Sequence, residues 1–258
     1  MYLEKLFGLK GKAALVIGGG GVLAGKVAEG LAQAGANIGI FDLNPENAEK
    51  EAEKIRAYNV KSVAIQGDAS SKSDLENALA MMIESFGRID ILVNAPGINS
   101  ATPFFEISED EWDRIIRVNL KSMFLACQVF GQKMIEQGEG GSIINFSSAS
   151  STPPLSKVFT YSVSKAGVNN LTQFLAREWA EHKIRVNALI PGFFPAEQNR
   201  KILSDERINQ ILNHTPMRRF GEADELVPAC IWLASTNASS FVTGTFVRVD
   251  GGFGAMTI

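Results

Sequence analysis

The chain has 258 residues, 45% of them hydrophobic and 21% charged, with a formal net charge of −3. That length buries a full core and suits one large α/β domain, while the small negative charge gives no general electrostatic attraction for nucleic acid or an anionic membrane surface. No window approaches the roughly 18 consecutive apolar residues of a membrane span, and the N-terminal run lacks the arrangement of a signal peptide, its apolar stretch at 13–17 being short and followed by glycines rather than a cleavage site, so a cytoplasmic location is expected.

Short apolar runs then alternate with longer amphipathic ones. Residues 13–17, 37–42, 62–68, 90–95, 141–147, 184–190 and 245–250 are rich in Val and Ile and predict strands buried on both faces. Between them, residues 22–34, 45–58, 72–86, 109–137, 161–181 and 222–235 carry helical patterning. The alternation predicts a single doubly wound α/β domain over residues 1–258, with a seven-stranded parallel sheet flanked by helices. No repeat, low-complexity linker or composition break marks a second domain. The stretch at about 194–217 is irregular and reads as polar helix plus loop, a candidate lid. Cys127 and Cys230 lie in apolar helical segments and read as small packed hydrophobes. His182 and His214 stand far apart with no ligand at metal-binding spacing, so no metal is expected.

Three local patterns carry chemistry. The first strand runs directly into Gly18-Gly19-Gly20-Gly21 and a helix follows, the arrangement that lets backbone approach a pyrophosphate at a helix N-terminus. The second strand ends at Asp42, where a carboxylate accepts from the ribose hydroxyls of NAD and repels the 2′-phosphate of NADP. An alternative reading of Asp42 is a loop or capping residue for the helix that opens at Asn44-Pro45. Tyr161 and Lys165 lie four residues apart on a helix, hence on one face. A neighbouring ammonium stabilises a phenolate and lowers a tyrosine pKa from about 10, which makes the pair a candidate acid/base group for an alcohol or carbonyl.

These pieces occur together in an order that resembles the short-chain dehydrogenase/reductase family over essentially the whole chain. The matching features are the turn at 18–24, Asp42, Asp68-Ala69, Asn94-Ala95-Pro96-Gly97, Asn119 in RVNLKS, Ser148, Tyr161, Lys165, Pro191-Gly192 and Val249-Asp250-Gly251-Gly252. Ile17, Val22 and Ala24 stand where the family's turn usually carries a threonine and its last two glycines. The resemblance implies a Rossmann-type domain with Tyr161 as general acid/base, Lys165 lowering its pKa and bonding the nicotinamide ribose, and Ser148 holding the reacting oxygen. Ser148 is preferred to Ser147 because the family's serine precedes the tyrosine by thirteen residues. Asn119 would support a proton path to Lys165; its alternative is a helix-interior polar residue bonded to backbone. Cofactor contacts are implied for Gly18, Gly20, Gly21, Val22, Leu23, Asp42, Asp68, Ala69, Asn94, Ala95, Gly97, Tyr161, Lys165, Pro191, Gly192 and Phe194.

The segments RVNALIPGFFPAEQNRKIL and ILNHTPMRRFGEADELV, with the turn GGGGVLAG, resemble the family branch of mannonate oxidoreductases and fructuronate reductases, near the gluconate 5-dehydrogenases. A sugar acid or polyol is the implied substrate, with NAD as cofactor and NADP less favoured. Asn99, Ser148, Phe193, Gln198, Asn199 and Arg200 are its candidate contacts. The amides and guanidinium among them suit hydroxyls and a carboxylate, although Arg200 also reads as an exposed helix charge. Two competing functions are a 3-ketoacyl-thioester reductase serving an acyl carrier protein and a weakly catalytic dinucleotide-binding sensor or assembly subunit. The family and the apolar C-terminal run GGFGAMTI imply a homotetramer.

Overall fold

The computed structural model describes residues 1–195 and 204–256. Seven strands are present: β1 Ala13–Ile17, β2 Asn37–Asp42, β3 Ser62–Gln66, β4 Ile91–Asn94, β5 Gly141–Phe146, β6 Ile184–Pro191 and β7 Phe246–Val249. They form one parallel sheet in the order β3-β2-β1-β4-β5-β6-β7, and every strand end lies within two residues of its expected position. The chain moves outward one way through β2 and β3, then returns to pair β4 on the other side of β1. That reversal opens a crevice at the carboxyl ends of β1 and β4, where such folds bind ligands.

The helices are α1 Tyr2–Phe7, α2 Val22–Gln33, α3 Pro45–Arg56, α4 Lys72–Phe86, α5 Glu109–Ile116, α6 Ser122–Gln137, α7 Phe159–Trp179, α8 Asp205–His214, α9 Val227–Ala234 and α10 Thr236–Ser239. Because both faces of the sheet are covered, each strand divides its apolar side chains between two layers. From β1, Ala14 and Val16 join Val27 and Leu31 of α2, Ile55 of α3 and Leu233 of α9. Ala13, Leu15 and Ile17 join Met82 of α4, Phe130 of α6 and Leu175 of α7. Each fully buried Val, Leu or Ile stabilises by about 1.5–3 kcal/mol. Among the described residues no helix is long and apolar enough to cross a membrane.

Two departures from the predicted elements matter. Residues 2–7 form a helix that periodicity over so short a stretch does not reveal; it is docked by Ser235 Oγ donating to Leu6 O and Asn237 Nδ2 donating to Lys5 O. The predicted helix over 109–137 is interrupted by a π-helical turn, Arg117–Lys121, between α5 and α6. That turn contains Asn119, whose side chain bonds away from its own helix.

Candidate active site

At the crevice, Gly18 has φ +74, and a Cβ placed there would lie 3.1 Å from the Ala95 carbonyl oxygen. Glycine therefore meets two demands, a left-handed backbone and the close approach of the turns after β1 and β4. The Gly20 N–H donates to Asp42 Oδ2 at 3.0 Å, and a Cβ on Gly20 would meet that carboxylate at 2.8 Å. The Asn44 N–H donates to Asp42 Oδ1 at 3.0 Å, so the carboxylate also stabilises the loop entering α3. Asn44 itself caps that helix, accepting from the Glu46 and Asn47 N–H groups.

Gly21 is the N-cap of α2, with no side-chain cap and no acidic residue in the first turn. The amide groups at Val22 and Leu23 thus begin a helix whose positive end has no anionic side chain of its own. Val22 is 62% exposed, so its branched side chain projects from the turn instead of filling it; Ala24 is buried against the first helical layer. The uncapped helix end, the tight Gly18–Ala95 approach and the fixed Asp42 carboxylate together fit a dinucleotide's pyrophosphate and ribose.

Further along the crevice, Asp68 lies in the exposed loop beyond β3, its carboxylate accepting from Ser70 N–H and Ser70 Oγ, both at 2.8 Å, with Ala69 half-buried beside it. Asn94 differs from expectation. Its side chain turns into the sheet, where Nδ2 donates to Asn145 Oδ1 at 2.9 Å and lies 3.5 Å from Cys127 Sγ. That side chain is taken up by a cross-strand bond, because β4 is central and Asn94 is fully buried, which leaves the Asn94 backbone for the cofactor contact the family resemblance implies. Ala95 and Gly97 remain at the crevice, and a Cβ on Gly97 would stand 3.6 Å from Lys165 Nζ and 3.8 Å from Asn119 Oδ1.

Ser148, Tyr161, Lys165 and Asn119 come together across the carboxyl end of β5. Ser148 follows β5 and begins a short 3-10 turn, accepting from the Ser150 N–H at 3.1 Å. Its hydroxyl faces that of Tyr161 closely enough to pull the phenol pKa downward. Lys165, one helical turn after Tyr161, is buried, with Nζ 5.6 Å from the Tyr161 ring centroid and donating to the Phe146 carbonyl at 2.8 Å. Burial pushes its pKa from 10.5 down to about 8. The tyrosine pKa does not follow the direction expected from a neighbouring ammonium. Burial raises it, and the Ser148 hydroxyl opposes that only in part. The reason is geometric: the ammonium sits over the ring and is hydrogen-bonded to a carbonyl, while the phenol itself is withdrawn from water.

Asn119 is buried and makes three bonds: Oδ1 accepts from Ile98 N–H at 2.8 Å, and Nδ2 donates to Ile98 O at 2.9 Å and Ser164 Oγ at 3.1 Å. Ser164 Oγ in turn donates to Tyr161 O. Asn119 is thus a helix-interior polar residue bonded to backbone, as its alternative reading had it, but the backbone is that of Ile98 after β4 and not its own turn. Ser164, Ile98 and the Phe146 carbonyl are parts of the site that sequence reading missed. Only Ser164 carried a signal, a polar residue beside Lys165 in an otherwise packed helix.

Beyond β6, Pro191 pairs with Val249 of β7, and Gly192 N–H donates to Val249 O at 2.9 Å. Phe193 packs edge-on against Phe253, which also meets His214 of α8. Phe194 lies against Gly221 and the first helical layer. Asn99 is exposed, with Oδ1 accepting from Ser100 N–H at 2.8 Å. Gln198, Asn199 and Arg200, expected at the substrate, lie outside the described residues, as does much of the 194–217 segment before α8. Among the described residues no cluster of three or more His, Cys, Asp or Glu is placed to hold a metal ion.

Comparison with known proteins places this geometry in context. Residues 21–254 match the family model described as enoyl-(acyl carrier protein) reductase. The 2-dehydro-3-deoxy-D-gluconate 5-dehydrogenase of Dickeya dadantii is 36% identical over 248 residues, covering 96% of this chain and 97% of the relative. Among solved structures, a gluconate 5-dehydrogenase of Burkholderia cenocepacia in complex with NADP and tartrate superposes with a TM-score of 0.93 at 34% identity, covering 99% of this chain and 100% of that one. A Haemophilus influenzae protein assigned as a D-mannonate oxidoreductase, with bound NAD, gives a TM-score of 0.92 at 34% identity and 99% coverage of both chains.

Proposed function

Since the chain belongs to the short-chain dehydrogenase/reductase family, we propose that it is an NAD-dependent oxidoreductase interconverting a secondary alcohol and a ketone on a sugar acid or polyol. The observation that carries this reading is the buried Lys165 beside Tyr161, whose hydroxyl faces Ser148, at the sheet edge that also presents the uncapped α2 and Asp42. A bound nicotinamide supplies or accepts the hydride. Ser148 holds the reacting oxygen, and Tyr161 takes the hydroxyl proton in oxidation or returns it to the carbonyl oxygen in reduction. Lys165 bonds the nicotinamide ribose and holds a positive charge beside the Tyr161 ring, where a phenolate formed during turnover would meet it. Asn119 keeps the Ile98 turn and Ser164 in register with them.

Asp42 supports NAD, since its two oxygens are held by Gly20 and Asn44 where a 2′-phosphate would meet a fixed negative charge. The named relatives act on gluconate derivatives, which favours a sugar acid over an acyl thioester. We also infer a cytoplasmic homotetramer. Phe104 at 62% and Phe105 at 98% exposure leave aromatic surface of the kind that self-association buries.

Following NADH absorbance across sugar acids and polyols, with NAD and NADP in parallel, tests the reading. Turnover with NAD is expected, and Tyr161→Phe lowers kcat by about 10³-fold with NAD binding retained. Near-normal turnover by Tyr161→Phe, or preference for NADPH with a ketoacyl thioester, overturns it.

A further inference from the structure

The segment that leaves β4 runs from Gly97, against Lys165, to Phe104, whose ring packs 5.0 Å from Phe159 at the start of the Tyr161 helix. It therefore passes beside the site from one end of the Tyr161–Lys165 pair to the other. Two side chains hold it. Asn119 bonds both the N–H and the carbonyl of Ile98. Glu111, in the first turn of α5, accepts from Ser100 Oγ at 2.6 Å on one carboxylate oxygen and from Thr102 Oγ1 at 2.7 Å on the other. These are short, charge-assisted bonds to both oxygens of one anion, across nine and eleven residues of chain. The same hydroxyls hold the Glu111 carboxyl below its ordinary pKa. Ser108 caps α5 by accepting from the Glu111 N–H at 3.1 Å, so the carboxylate rises from a fixed helical start.

We propose that Glu111 is a positioning residue that clasps Ser100 and Thr102, holding residues 98–102 as a fixed wall on the substrate side of the cleft and presenting Asn99 from it. Its assignment to the substrate side rests on the function proposed above. The clasp lies outside the groups that touch the reacting atoms, so its removal loosens the wall without removing the acid/base pair.

Two measurements on the full chain test this. Amide hydrogen exchange with NAD present reads the wall directly. Glu111→Ala is expected to speed exchange of residues 98–102 by about tenfold and to leave the peptide bearing Tyr161 and Lys165 unchanged. Steady-state kinetics on the best sugar acid or polyol reads the consequence: KM rises about tenfold with kcat within about threefold. Glu111→Gln, which keeps one acceptor oxygen, is intermediate, and Ser100→Ala/Thr102→Val matches Glu111→Ala without adding to it. Unchanged exchange at 98–102 in a folded Glu111→Ala variant overturns the clasp, as do additive effects of the two sets of substitutions. Faster exchange spread evenly over all peptides shows general destabilisation and equally overturns it. If wild-type protein turns over no sugar acid or polyol, the substrate reading fails, while the exchange measurement still decides the clasp.

Discussion

Lys12, Arg88 and Asp90 stand at the amino ends of β1 and β4, whereas Lys165 lies across the carboxyl end of β5, and the two ends of the sheet treat a buried charge in opposite ways. Asp90 is enclosed by cations: Arg88 Nε donates to it at 2.7 Å, Arg88 Nη2 at 2.6 Å and Lys12 Nζ at 2.9 Å, with the Ala13 N–H at 2.9 Å. Burial alone would raise its pKa, but these donors outweigh it and hold the carboxyl below its ordinary range. Lys165 is just as buried and has one carbonyl as acceptor; among the described residues no carboxylate forms an ion pair with it. Moving its pKa from 10.5 to about 8 corresponds to a penalty on the order of 3 kcal/mol at neutral pH. The amino edge uses charge to hold strands together. The carboxyl edge carries an uncompensated cation whose return lies in chemistry at Tyr161.

The sharpest way to break that contrast is Lys165→Met. Turnover is expected to fall by about 10²–10³-fold, yet the folded state gains stability. Removing the buried charge outweighs the donor lost to the Phe146 carbonyl by about 1 kcal/mol, a rise in Tm of about 3 °C by calorimetry. A lower Tm in the variant would show that Lys165 is structurally compensated after all.

At the opposite edge Asp90→Ala should do the reverse. It removes the acceptor shared by Arg88, Lys12 and the Ala13 N–H, leaving Arg88 on Glu139, and lowers stability by about 1–3 kcal/mol in denaturant titrations with kcat little changed. The sign with pH follows from the lowered pKa: Asp90 stabilises fully above its unfolded-state value and loses that contribution as pH falls through the folded one. The acid limb of the stability curve is therefore shallower in the variant.

The smallest effect sharpens the comparison by pH. Lys165 is charged in both folded and unfolded chains below about pH 8 and neutral in both above 10.5. The Tm advantage of Lys165→Met is thus fully present below pH 8 and fades as pH rises through that window. An advantage independent of pH would assign it to packing instead of charge.

Local spacing made the glycine turn, Asp42 and the Tyr161–Lys165 pair legible, because each depends on residues a few positions apart in one strand, turn or helix. The interruption at Asn119 was not legible, since the sequence 109–137 keeps a helical pattern throughout while the Ile98 backbone that Asn119 bonds lies 21 residues away. Asn94 misled for a related reason. Its position at the end of a strand suggested the crevice for its side chain, but its partner Asn145 on the neighbouring strand is 51 residues distant. The Glu111 clasp gave no signal, because an acid in a first helical turn usually needs no explanation beyond the helix dipole.

Periodicity and motif spacing by themselves determined the α/β alternation, the parallel sheet and the identity of the candidate acid/base pair, since all three follow from side-chain direction along single elements. Only the tertiary structure decided how those groups are poised. It removed Lys165 from water and half-buried Tyr161, set the lysine on a carbonyl instead of a carboxylate, turned Asn94 inward and fastened the wall of the cleft through Asn119 and Glu111. Desolvation and long-range hydrogen bonds depend on what packs around a group, and that is a property of the assembled fold.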